Sequence, residues 1–178
     1  YWSWKNVKAE YYGLCHYRRY LSFAESKFET NDRNQIECEY LNRDSANNFG
    51  LLNSEKMSQI ISQYDFIHNQ PFDVRKVNIP NKGRKKSVYE HLNAFSGYMF
   101  PQGTIEKLLD IIKKYHPKYF VDCQSYLNGK YCYGYNLFIM KASLFDEFCS
   151  FEFDVLSKLK KIIDSTYFSE KMSRTLGF

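Results

Sequence analysis

The chain is 178 residues long, 44% hydrophobic and 25% charged, with a formal charge of +5 at pH 7. That size and balance suit one globular domain with a sizeable core, and they exclude disordered and fibrous classes. No apolar run reaches the roughly 20 residues of a membrane-spanning helix, so a transmembrane protein is excluded as well.

Residues 1–6 (YWSWKN) look like the last turn of an aromatic helix. Residues 11–15 (YYGLC) are short, apolar and aromatic, which predicts a buried strand. Polarity then changes abruptly at His16, Tyr17, Arg18 and Arg19. Residues 22–53 are rich in Asn, Asp, Glu and Ser and read as loop. Within them, Ile36, Cys38 and Tyr40 alternate with Glu37 and Glu39, predicting one short amphipathic strand. Asn53 or Ser54 caps a helix whose Met57, Ile60, Ile61 and Tyr64 fall at helical spacing. Residues 65–69 (DFIHN) form a second strand, closed by Pro71. Residues 70–86 contain Pro80, Gly83 and the basic run KGRKK, and are a loop. Ser87 starts a short helix through Phe95. Thr104 caps a stronger one, with Ile105, Leu108, Leu109 and Ile112 on one face and Pro117 at its end. After a further helical piece, residues 130–141 (KYCYGYNLFIMK) predict a single apolar strand. Residues 142–163 predict a long helix with a wide buried face. Alternating helices and strands point to an α/β layer architecture.

Sixteen tyrosines, 15 phenylalanines and two tryptophans make 19% of the chain, too many rings for a core alone. Many must line surfaces or clefts. The basic balance favours anionic partners without choosing among them. Five cysteines with no pairing pattern predict reduced thiols in a cytoplasmic protein. The opening carries no signal-peptide or lipidation pattern. It begins on Tyr1, which predicts a fragment or a processed product.

The stretch YYGLCHYRRY (11–20) carries the most chemistry. A strand ending in His16, Arg18 and Arg19 sets cations at its carboxyl edge, where open α/β sheets place ligands. Two guanidinium forks match the oxygens of a diphosphate. The plain alternative is a pair of surface arginines bound to Glu25 and Glu29. Tyr17, Tyr20, Tyr133 and Tyr135 offer rings to a sugar face, against a default of core packing. Asn136, inside a predicted apolar strand, needs hydrogen-bond partners, either sugar hydroxyls or backbone. No Asp-x-Asp occurs, and no His/Cys cluster has zinc spacing.

GLCHYRRYL, preceded by YWSWKN, resembles the signature of a bacterial family of exopolysaccharide and capsule biosynthesis proteins. Those domains were first catalogued without a function and are now treated as glycosyltransferases. Asp65-Phe66-Ile67 with Pro71, residues 135–141 (YNLFIMK) running into FDEFC, and Arg174 with Gly177-Phe178 are similar to the family's later motifs, in its order. The resemblance implies a Rossmann-like, glycosyltransferase-A-like α/β sheet flanked by helices. It implies one domain over residues 1–178, truncated at both ends and missing its first strand.

It also implies transfer of a hexose from a nucleotide-sugar donor to a capsular, exopolysaccharide or lipopolysaccharide glycan. Arg18, Arg19 and Arg174 would stabilise the leaving diphosphate in place of a metal, and Tyr17, Tyr20 and Asn136 would contact substrate. No cofactor and no divalent ion are expected. His16 and Asp65 lead the candidates for catalytic base, ahead of His91 and Asp122, because they adjoin predicted strand ends. The acceptor is a glycan or a lipid-linked glycan, with contact to an anionic membrane surface through residues 82–86 and Lys158, Lys160 and Lys161. Nucleic acid is not expected as a partner. A basic nucleic-acid-binding module and a non-catalytic glycan-binding domain are the competing functions.

Overall fold

The computed structural model describes residues 1–163, so Arg174 and the Gly177-Phe178 motif lie outside the described residues. The chain is a mixed α/β protein divided into two compact units. Unit 1 comprises Tyr1–Phe72 and Tyr133–Phe148; unit 2 comprises Asp73–Cys132 and, among the described residues, 149–163.

Unit 1 is built on a three-stranded sheet of β1 (Tyr11–Leu14), β5 (Phe138–Lys141) and β2 (Phe66–His68) in the order β1-β5-β2. β5 runs antiparallel to both neighbours, so β1 and β2 point the same way. The register sets Tyr12 and Phe66 opposite Met140, and Leu14 and His68 opposite Phe138. Directly opposed residues share a face of the sheet. On that face the first turns of α7 (Ala142–Ile162) pack by aromatic contact. Tyr12 stacks on Phe145 at 4.2 Å, and Phe148 meets Phe138 edge-on at 5.6 Å. The opening helix α1 (Trp2–Asn6) is fastened there by the Trp4 indole N–H, which donates to Asp146 Oδ1 at 2.7 Å.

The connection from β1 to β2 holds two helices. α2 (Arg43–Asn48) begins at a reciprocal capping box between Asn42 and Ser45, inside the stretch expected to be loop. Both side chains are short and polar, and together they satisfy backbone groups that would otherwise face water. α3 (Ser54–Ile61) starts as anticipated, with Asn53 accepting the Lys56 N–H at 2.9 Å. The anticipated strand around Cys38 does not form. Asn31 takes over the local backbone instead: its Oδ1 accepts the N–H groups of Arg33 and Gln35, and its Nδ2 donates to Glu37 at 2.7 Å. Side-chain bonds of this kind compete directly with strand pairing.

Residues 130–141 also depart from expectation, splitting into β4 (Tyr131–Cys132) and β5. The break covers residues 133–137, where the Leu137 N–H bonds back to the Tyr135 carbonyl at 2.7 Å. Asn136 therefore stands exposed in a turn, not in a strand.

β4 pairs with β3 (Phe72–Asp73). Unit 2 otherwise consists of α4 (Val88–Asn93), α5 (Thr104–Tyr115), a 3-10 turn (Pro117–Tyr119), α6 (Phe120–Asn128) and the later turns of α7. Ser87 caps α4 as anticipated. At α5 the cap is Gly103 at φ 74°, and Thr104 is the first helical residue, its hydroxyl donating to the Pro101 carbonyl at 2.7 Å. Ile111 and Ile112 of α5 bury against Val155, Leu159 and Ile163, ringed by Leu108, Tyr119, Phe120, Cys123 and Phe151. Each such aliphatic contributes about 1.5–3 kcal/mol by leaving water. No helix among the described residues is long and apolar enough to cross a membrane.

Candidate functional site at the sheet edge

β1 and β2 both end opposite Phe138, so their carboxyl ends and the amino end of β5 converge on one edge of the unit 1 sheet. Two strand spacings separate β1 from β2 there, about 10 Å. Cys15 is exposed just beyond Leu14. The chain then reverses, with the Arg19 N–H bonded to the His16 carbonyl at 3.0 Å and Tyr17-Arg18 at the tip. Tyr17 is 73% exposed, with the His16 ring 4.3 Å away and the Arg18 guanidinium 5.2 Å from its ring. The Tyr20 hydroxyl donates to the Tyr17 carbonyl at 3.3 Å, bracing the turn.

Arg19 is half-buried, its guanidinium 4.9 Å from the centre of the Tyr135 ring. A ring face holds a cation without neutralising it. Among the described residues, neither Arg18 nor Arg19 has a carboxylate partner. Glu25, offered by sequence as one, is taken by Lys56 at 2.5 Å, which lowers its pKa. Two adjacent guanidinium groups thus carry unpaired positive charge on one turn, a rim suited to an anion with several oxygens.

His68, the last residue of β2, occupies the same edge. Its Nδ1 lies 2.6 Å from the Asn69 carbonyl, which can only accept, so Nδ1 is the donor there, and in the neutral ring of that tautomer Nε2 is an acceptor. Its ring meets Tyr133 edge-on at 4.9 Å and lies 5.1 Å from Phe66. Sequence reasoning passed over His68, although it lies near the carboxyl end of the predicted strand DFIHN, on the side where open sheets place ligands.

The structure gathers His16, Tyr17, Arg18, Arg19 and Tyr20 on one turn and brings Asn136 to the segment leading into Phe138, at the same edge. Asp65 is elsewhere. It precedes β2, so it sits at the opposite edge, where its carboxylate binds Lys141 Nζ at 2.6 Å and raises the Lys141 pKa. Its carbonyl also accepts the Lys141 N–H at 2.9 Å, extending the ladder. Strand rise separates the two edges by about 10 Å or more. His91 is buried in α4, and Asp122 is exposed on α6, both in unit 2. No group of three or more His, Cys, Asp or Glu converges in metal-ligating fashion among the described residues.

Over residues 1–178 the chain matches the family described as Domain of unknown function (DUF4422). Its fold is similar to the apo structure of the WbbM bifunctional glycosyltransferase, with a TM-score of 0.78 and 24% sequence identity. The likeness covers 92% of this chain and 27% of that one, and establishes a glycosyltransferase-A-like fold. No curated protein matches the chain.

Proposed function

We propose, from the premise that this chain belongs to the DUF4422 family, that it is a glycosyltransferase domain acting on a nucleotide-sugar donor. One observation carries the proposal: the unpaired guanidinium groups of Arg18 and Arg19 on the turn that follows β1, in a fold shared with the WbbM bifunctional glycosyltransferase.

Arg18 and Arg19 hold the diphosphate. As the bond from the anomeric carbon to the diphosphate oxygen breaks, the electron pair passes to that oxygen, and forked N–H donors stabilise the growing charge. The Tyr135 ring under Arg19 fixes one fork without cancelling it. Arg174, outside the described residues, is proposed to add a third cation. The arginines stand in for a divalent ion, a reading supported by the lack of any Asp-x-Asp in the sequence. Tyr17, Tyr20 and Asn136 contact donor or sugar.

The acceptor hydroxyl gives its proton to an imidazole as its oxygen bonds to the anomeric carbon. His68 Nε2 is the better-placed base, because its Nδ1–H bond leaves that nitrogen bare. His16 on the turn is the other. Asp65, engaged by Lys141 at the far edge, braces β2 against β5. The transferred group is a hexose, and the acceptor is a capsular, exopolysaccharide or lipopolysaccharide glycan, free or lipid-linked. The protein works in the cytoplasm, peripheral to the inner face of the membrane.

The test is release of nucleoside diphosphate from a panel of UDP- and GDP-sugars. Arg18→Gln with Arg19→Gln should lower turnover at least about 100-fold, the order seen when preorganised charge stabilisation is removed. His68→Gln should lower turnover while donor binding is kept. Undiminished turnover in the double arginine variant sinks the proposal, as does binding of glycan with no release of diphosphate by the wild type.

A further inference from the structure

The sequence offers residues 82–86, with Lys158, Lys160 and Lys161, as the basic surface of this protein, and in the structure part of the 82–86 loop is held by local hydrogen bonds. Lys82 Nζ donates to the Ala94 carbonyl, Lys85 Nζ donates to the Lys82 carbonyl at 2.7 Å, and the Lys86 N–H is held by Glu90 at 2.9 Å. A second cluster, which takes in Lys158 and Lys161 of that set, lies where α5 ends. Tyr115, 49% exposed, has the Lys114 ammonium 5.1 Å and the Lys158 ammonium 4.7 Å from its ring centre. Lys113 lies 5.5 Å from the Phe120 ring, and Lys118 lies 4.5 Å from that of Tyr119.

Asp154 is shared in this corner, binding His116 Nε2 at 2.7 Å and also taking the Lys158 ammonium, and Asp122 is exposed beside Val121 in the first turn of α6. On α7, Lys161 and Ile162 follow Lys158 at the i+3 and i+4 positions, on one face. Attraction of cations to the carboxyl end of α5 accounts for Lys113 and Lys114. It does not account for the exposed aliphatics set among them, Val121 at the start of α6 and Ile162.

We propose that this corner, formed by the end of α5, the Pro117–Tyr119 turn, the start of α6 and the last turns of α7, docks on an anionic lipid surface. Ammonium groups would sit at headgroup phosphates, while Tyr115, Val121 and Ile162 enter the interfacial layer. The same cations would attract nucleic acid, but the exposed aliphatics Val121 and Ile162 have no partner on a phosphate backbone and a natural place in a lipid interface. Such docking rests on the peripheral membrane location proposed above, but it uses none of the donor-binding residues, so vesicle binding and sugar transfer can fail separately.

Co-sedimentation with vesicles of phosphatidylglycerol and phosphatidylcholine tests it, against phosphatidylcholine alone. Wild type should bind the anionic vesicles only, and less at raised salt. Lys114→Gln with Lys161→Gln should weaken partitioning about 5-fold per lysine removed. Lys82→Gln with Lys86→Gln should leave it nearly unchanged, and circular dichroism confirms that each variant is folded. Equal binding to neutral vesicles, unaltered binding by the Lys114/Lys161 variant, or salt-sensitive binding to a single-stranded oligonucleotide without binding to vesicles would overturn the proposal.

Discussion

Replacing Asp73 with Asn removes one charge from a tightly made pair and should cost stability in a pH-dependent way. The Asp73 carboxylate takes Arg75 Nε at 2.9 Å and Nη2 at 2.6 Å, and its Oδ1 accepts the Arg75 N–H at 3.0 Å. Those bonds, led by the guanidinium, hold the Asp73 pKa at about 2 against an ordinary 3.8. Since the folded value lies below the unfolded one, the stabilisation is complete well above pH 4 and is lost as pH falls toward 2. The difference between the two values sets a ceiling of about 2 kcal/mol. The Asp73 side chain is only 9% exposed but that of Arg75 is 52% exposed, so screening reduces the expected figure. About 1–2 kcal/mol is the working range at neutral pH, with roughly half remaining at pH 3. Urea unfolding of wild type and Asp73→Asn, followed by circular dichroism at a series of pH values, measures it. A gap that stays constant with pH, or is absent at pH 7, would refute the assignment of this pair.

Two further outcomes are expected. Turnover of a nucleotide sugar should survive EDTA if the arginines replace a metal, and complete loss restored by Mn²⁺ would remove that part of the mechanism. Gly50→Ala should destabilise the protein by about 2 kcal/mol or more, because Gly50 sits at φ 72° and a Cβ there would lie 2.8 Å from the Phe23 carbonyl. Gly13→Ala, where the nearest atom would be Ile139 Cγ1 at 3.5 Å, should be close to neutral, and thermal unfolding of both variants separates the two cases.

Much of the helical framework was legible because helices are local. The apolar spacing through Ile105 and Ile112, and the caps Asn53 and Ser87, act within a few residues of themselves. Strands depend on partners that sequence does not name. Ile36, Cys38 and Tyr40 alternate well enough for a strand, yet Asn31 takes the hydrogen bonds first. The order β1-β5-β2 joins segments more than 50 residues apart, which no short-range pattern reveals. The candidate site was half legible for the same reason. His16 and Asp65 both adjoin strand ends, but Asp65 enters β2 while His16 leaves β1, and the two parallel strands carry them to opposite edges. Following strand direction places His68, and not Asp65, at the edge that His16 occupies.

The exposed thiol of Cys15 has a practical use. Cys132 and Cys149 are buried and Cys123 is half-buried, so with Cys38→Ser in place a maleimide dye should react chiefly at the residue just ahead of the arginine turn. Emission from that dye would register any molecule settling against the guanidinium pair, before its sugar, its base or its acceptor had been identified.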